Sequence, residues 1–202
     1  PAHMESAIGV FRACLENHLP VDVITDQDVA EGDRLSLYKV LILPNTICLS
    51  DVQLMNIQRF VAAGGGLVAM NESSLCDEFG TRRSDFGLAE LFQASYIGNE
   101  DHTAWWPHFD KTACFTLCPH YVTDATEFDE ALREKNSVLD FIGFVAKIRP
   151  KPQAEVLGFY GNNRDLLVKA RDENQIIDGT SPFLLAVNSN GWRPASALNL
   201  PH

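Results

Sequence analysis

The stretch YKVLILPNTICLSDVQLMNIQRFVAAGGGLVAM, residues 38–70, decides the fold class. Tyr38 to Pro44 is a continuous apolar run, the pattern of a strand whose two faces are both covered by helices. Ser50 and Gln53 then stand at capping-box spacing, so hydroxyl and amide can satisfy the first free backbone N–H groups of a helix. Leu54, Ile57 and Val61 recur on one face of that helix. Gly64 suits the left-handed position just past a helix end, and Leu67–Met70 reads as the next strand. Strand, helix and strand with short links predict a crossover between parallel strands.

On the N-terminal side, SAIGVFRACLENH (6–18) places Ile8, Phe11, Cys14 and Leu15 on one helical face, and PVDVIT (20–25) is a short β-branched run. On the other side, SDFGLAELF (84–92) reads as a short helix and ASYIG (94–98) as a strand. Residues 6–98 therefore read α-β-β-α-β-α-β. The expected class is α/β, with a mostly parallel sheet and helices on both faces. The second half is less regular. NEDHTAWWPHFD (99–110) reads as a polar and aromatic loop, and KTACFTLC (111–118), FVAKIRP (144–150), AEVLGFY (154–160) and PFLLAVN (182–188) as strands. Asp124 and Glu127 form a second capping pair that opens a helix to about Lys135. No repeat, low-complexity tract or linker interrupts the pattern. Residues 5–202 read as a single domain, preceded by PAHM (1–4), which has the look of a cloning scar.

Bulk properties narrow the function. Apolar residues make up 46% of the 202, enough for a real core. Net charge is 16 − 27 = −11, which argues against nucleic acid or an anionic membrane as the main partner, because both need a basic face. No apolar run approaches the roughly 18 residues of a membrane span, and no signal-peptide pattern is visible. Five cysteines, an odd number in a chain of this size, predict reduced thiols in a cytoplasmic protein.

GGGLVAMNESSLCDEFG (64–80) concentrates catalytic residue types after a strand, yet no catalytic pattern fits it. A cysteine nucleophile on a strand-to-helix turn needs small neighbours, as in G-x-C-x-G. Here Asn71, Glu72 and Ser73 follow the strand, Cys76 comes several residues later, and His120 with Asp124 is a poor base pair. Asn71-Glu72 resembles the acid/base dipeptide of barrel glycosidases, but those need a second carboxylate and about 250 residues. Cys114, Cys118 and His120, with His102 and His108 nearby, offer zinc-ligand types without a second paired motif; they read as a strand with core cysteines. Asp77, Glu78, Asp85, Arg82 and Arg83 read as a solvated loop with ion pairs or as a contact surface. No catalytic, cofactor-binding or metal-binding residue is therefore expected.

Taken in order, Tyr38 to Pro44 with Asn45, Leu49-Ser50, Phe60-Val61, Gly64–Gly66, Asp77, Gly80, Arg83 and FGLAELF resemble the trimerisation domain of bacterial beta-galactosidases. The resemblance is clear over residues 8–98 and faint over 99–202. It implies a class I glutamine amidotransferase-like, flavodoxin-related fold. It also implies a non-catalytic oligomerisation role, with sugar chemistry on a separate upstream barrel. None of that barrel's carboxylates can be carried onto this chain. The implied partners are further copies, as a trimer or dimer, the glycosidase barrel and carbohydrate. The departures are a sheet without its first strand (none precedes Ser6), Gln93 where glycine is common, and a C-terminus lacking Gly-x-Gly-Arg. Two alternatives stay open: a stand-alone amidotransferase-like or sugar-utilisation enzyme, and a carbohydrate-binding module.

The expected contact or sugar-bordering residues are Trp105, Trp106, His108, Glu72, Asp77 and Arg83. Adjacent Trp105 and Trp106 diverge in extended backbone, Pro107 discourages helix at Trp106, and polar neighbours place the segment at the surface. Tryptophan there suits a binding hot spot.

Overall fold

The computed structural model describes residues 2–101, 113–118, 138–141 and 143–187. The chain divides into two compact units, one ending at Leu91 and the other spanning Phe92–Val187. It is an α/β protein with both parallel and antiparallel strand pairs. Among the described residues, no helix is long and apolar enough to cross a membrane.

The first unit holds α1 (Ala2–Glu16), α2 (Asp26–Glu31), a 3-10 turn (Asp33–Leu37), β1 (Val40–Leu43), α3 (Asp51–Ala62) and β2 (Gly66–Ala69), with α4 (Ala89–Phe92) closing it. β1 and β2 pair in parallel, from Val40 opposite Gly66 to Leu43 opposite Ala69. The predicted capping box is formed: Ser50 Oγ accepts from the Gln53 N–H at 3.3 Å, and Gln53 Oε1 accepts from the Ser50 N–H at 2.8 Å. The same Gln53 amide donates to Asp26 O at 2.8 Å, and Asn56 Nδ2 donates to Ala30 O at 2.7 Å, which ties α3 to α2. Leu54, Ile57 and Val61 are buried as the periodicity requires, and Gly64 has φ +100° just past the helix. Gly87 lies so close to α3 that a Cβ there would fall 2.6 Å from Leu54 Cδ1.

Four expectations change in this unit, the first being that the helix expected over 84–92 forms only at Ala89–Phe92. Residues 20–25 form no strand: Thr25 instead caps α2, its N–H donating to Asp28 Oδ2 at 2.7 Å, and Asp22 accepts from Tyr38 Oη at 2.6 Å. Local side-chain bonds to backbone have displaced a ladder. β1 is not covered on both faces, because Leu41 and Leu43 are buried while Val40 is half exposed. The apolar face of α1 is open too, with Ile8 61% and Leu15 55% exposed.

The second unit is antiparallel throughout its described ladders. β3 (Ala94–Asp101) pairs with β6 (Phe144–Pro150). β4 (Ala113–Leu117), β5 (Leu139–Phe141), β7 (Ala154–Gly161) and β8 (Thr180–Val187) form a sheet in the order β5-β4-β7-β8. α5 (Arg164–Glu173) begins at Asn163, whose Oδ1 accepts from the N–H groups of Asp165 and Leu166. Its Leu167 and Ala170 are buried with Cys114, Cys118, Val138 and Phe159 in one apolar cluster. Parallel ladders among the described strands are thus confined to β1–β2. The reason is the half-buried alternation of strands such as β3, which suits an antiparallel sheet with one wet face. The expected helix from Asp124 to Lys135 lies outside the described residues.

Candidate functional site

The chemistry-rich run after β2 folds into a clasp over the ends of both parallel strands. Asn45, buried and at φ +58°, accepts the Glu72 N–H through Oδ1 at 3.2 Å. Ser73 is 1% exposed; its hydroxyl lies 2.7 Å from Met70 O and 3.0 Å from Leu43 O and accepts the Thr46 N–H at 3.0 Å. The Ser74 hydroxyl, fully buried, accepts the Leu88 N–H at 3.2 Å. These side chains satisfy backbone groups that a chain leaving a sheet must otherwise bury unpaired.

Beyond the clasp, Arg83 reaches Cys76 O, Leu49 O at 2.9 Å and Asp51 Oδ1 at 3.0 Å. Asp77 Oδ1 accepts the N–H groups of Phe79 at 2.9 Å and Thr81 at 2.8 Å, and Gly80 supplies φ +81°. The backbone bond from Thr81, followed by that from Phe79, holds the Asp77 carboxyl below its ordinary value despite partial desolvation. This turn presents the Phe79 ring with 87% of its surface exposed. Glu72 pairs with Arg82 at 3.4 Å.

Glu72, Asp77 and Arg83, three of the predicted contact residues, therefore share one crossover; Asp77 and Arg83 shape it. Trp105, Trp106 and His108 lie outside the described residues. Phe79 was missed by sequence reasoning, although an aromatic inside Asp77-Glu78-Phe79-Gly80 has the pattern of a side-chain-fixed turn with its ring at the tip. With Cys48 reduced, Cys76 is not an activated catalytic nucleophile: burial first, and the charge of Cys48 next, push its thiol above the ordinary value. Among the described residues no group of three His, Cys, Asp or Glu side chains could hold a metal ion. Cys114 and Cys118 lie in the core cluster, and His120 lies outside the described residues.

A second candidate lies in the Phe92–Val187 unit. Glu100 and Lys147, paired at 2.6 Å, line an open polar cleft of about 320 Å³ with Tyr160, Asp178, Thr180 and Ser181. Burial pushes the Tyr160 hydroxyl up to about 12.

A family model described as the beta-galactosidase trimerisation domain matches residues 3–108, just over half of the chain. The chain belongs to the beta-galactosidase trimerisation domain family. Solved structures place this trimerisation domain chain among similar folds. It is 22% identical to a catalytic mutant of Gan42B, a GH42 beta-galactosidase from G. stearothermophilus, with TM-score 0.58 over 77% of this chain and 19% of that one. A beta-galactosidase from Rahnella sp. R3 is 19% identical, with TM-score 0.54 over 76% of this chain and 20% of that one. An alpha-L-fucosidase isoenzyme 2 from Paenibacillus thiaminolyticus is 22% identical, with TM-score 0.54 over 78% of this chain and 19% of that one. The trimerisation domain chain spans about a fifth of the length of these enzymes. At such identities the likeness concerns the fold alone, and the neighbours differ in the sugar their names carry. Comparison with curated proteins gives no match.

Proposed function

We propose that this chain is a non-catalytic assembly domain of a beta-galactosidase-like glycoside hydrolase in the cytoplasm. It associates with further copies of itself as a trimer or dimer and packs beside a glycosidase barrel that carries the sugar chemistry. In this reading residues 5–202 act as one amidotransferase-like, flavodoxin-related domain. The carrying observation is how residues 71–83 are used. Ser73 and Asp77, of types that could serve catalysis, bond backbone instead, Glu72 pairs with Arg82, and a preset turn displays Phe79 to solvent. An aromatic on a backbone fixed in advance by Asp77 costs less to order when a partner covers it. Glu72, Asp77 and Arg83 form the rim of this contact surface, and in this reading Trp105, Trp106 and His108, expected from the sequence, serve as further contact or sugar-bordering residues. The raised Cys76 thiol weighs against a stand-alone amidotransferase-like enzyme.

The test is sedimentation equilibrium of the chain over a range of concentrations. The parent should form oligomers, and Phe79→Ala should weaken association by at least tenfold, the scale of an aromatic hot spot of about 1.4 kcal/mol or more. A parent that stays monomeric at every concentration, or Phe79→Ala oligomers as tight as the parent's, would sink this reading. The polar cleft around Glu100 and Lys147 supports a second reading, a carbohydrate-binding module. It requires galactose to perturb the amide signals of Glu100, Lys147 and Tyr160, and is lost if those signals do not move.

A further inference from the structure

Three short segments outside the named strands meet in a small patch of sheet. The Cys76 N–H donates to Ile47 O at 2.9 Å and the Leu49 N–H donates to Cys76 O at 3.1 Å, which sets Cys48 directly opposite Cys76 in a parallel bridge. On the other side, the Asp77 N–H donates to Thr81 O at 2.9 Å and the Arg83 N–H to Leu75 O at 2.8 Å, which sets Arg82 opposite Cys76 in an antiparallel bridge. Directly paired residues send their side chains to the same side of a sheet, so Cys48, Cys76 and Arg82 stand in one row. Paired β segments lie about 4.8 Å apart, inside the roughly 4.4–6.8 Å over which Cα atoms can be joined by a disulfide. Both thiols are free, and Cys48 is exposed. Cys114 and Cys118 offer no such pairing. They lie four residues apart along one extended segment, about 13 Å at the usual strand rise.

We propose that Cys48 and Cys76 are a redox-modification site, closing to a reversible disulfide with a small disulfide oxidant of the glutathione type. Cys48, the exposed thiol, gives its proton to solvent, and its thiolate attacks one sulfur of oxidised glutathione. A mixed disulfide forms on Cys48, and one glutathione thiolate leaves and takes up a proton. The Cys76 thiolate then attacks the Cys48 sulfur and releases the second glutathione, which is protonated in the same way. Two protein thiols are oxidised to one disulfide, one oxidised glutathione is reduced to two thiols, and the two protons pass through solvent from the first pair to the second.

The order of attack follows from the surroundings. Burial and the Cys48 charge both disfavour a thiolate at Cys76, and Arg82 opposes them. Cys48 therefore starts the exchange, and Cys76 ionises beside the Arg82 guanidinium to finish it. The resulting ring of residues 48–76 encloses α3 and β2 and fastens the base of the turn that carries Phe79. Cross-linking the unfolded chain over such a loop stabilises the folded state. The inference is independent of the assembly reading, since it needs only the bridge geometry.

The test treats the native chain with oxidised glutathione, alkylates the remaining thiols under denaturing conditions and maps tryptic peptides by mass. Residues 40–59 and 60–82 should appear joined, with three of the five cysteines alkylated. The thermal midpoint should rise and return to its starting value with dithiothreitol. Cys76→Ser should retain a glutathione adduct on Cys48, and Cys48→Ser should give no joined peptides. Five alkylated cysteines in the parent, a glutathione adduct that persists on its Cys48, or a disulfide through Cys14, Cys114 or Cys118 would each overturn the proposal. The parent measurement decides the matter even if a variant fails to fold.

Discussion

The two units bury their interiors by different means. In the first, two short parallel strands and their crossover helix are locked by buried polar side chains, Asn45, Ser73 and Ser74, each bonded to backbone. Val40 and Val68 on the same strand pair remain about half exposed. In the second, α5 and antiparallel strands share an apolar cluster in which Phe159, Leu167 and Ala170 have no exposed surface. Chain leaving the end of a parallel strand must find new partners for its backbone groups, and side chains can supply them. Antiparallel neighbours satisfy the ladder among themselves, so apolar packing carries the burden there. The lesson is that buried polar groups do local work in both units: Asn45, Ser73 and Ser74 close strand ends in the first, and in the second the buried Thr180 hydroxyl bonds Ile177 backbone beside an apolar cluster.

The comparison is most exposed to a cavity in the second unit. Phe159→Ala should cost about 3–5 kcal/mol, measured by urea denaturation. Amide exchange should rise over β4, β7 and α5 and stay unchanged over β1, α3 and β2. A rise spread equally over both units would mean that they unfold as one block and that the contrast has no energetic content.

A smaller effect tests the clasp. Ser73→Ala removes one oxygen and leaves the Thr46 N–H without its acceptor, at a cost of about 1–3 kcal/mol. Exchange should quicken at Thr46 and Met70 to Leu75. If the variant is as stable as the parent, the polar clasp is ornamental and the first unit is held by packing like the second.

The smallest effect concerns the exposed cap of α2. The Asp28 carboxyl sits at about 2, lowered first by the Thr25 backbone N–H, next by the Thr25 hydroxyl and then by Arg34. A depressed folded value means stability present above about 4 and lost as pH falls through about 2. The thermal midpoint of the parent should therefore fall more steeply than that of Asp28→Asn between those pH values, and the two should converge near the lower one. Parallel curves would show that the cap bonds do not persist in solution.

Much of the first unit is legible in the sequence. The α3 cap, the Leu54–Ile57–Val61 stripe and the Gly64 stop are decided within a few residues, by hydrogen bonds and sterics that need no distant partner. The contact surface was half legible: Glu72, Asp77 and Arg83 stood out by type, but Phe79 did not, because only the Asp77 turn gives its ring a direction. α5 and β5 were missed, since the many charges of Asn163–Glu173 mask an apolar face around Leu167 and Ala170, and Leu139–Phe141 is too short to show alternation.

By itself, the sequence determined the βαβ crossover, the burial of α3 and membership of the trimerisation domain family, because each rests on order and spacing along the chain. Tertiary structure alone decided that β3 pairs with β6, that the face of α1 around Ile8 and Leu15 stays open, and that Cys48 comes to stand opposite Cys76. A residue's helical or strand habit is set by neighbours within about four positions. Which segment it meets is set by competition among all segments for the same edges and faces, a contest whose stakes are buried area and satisfied backbone groups rather than local preference.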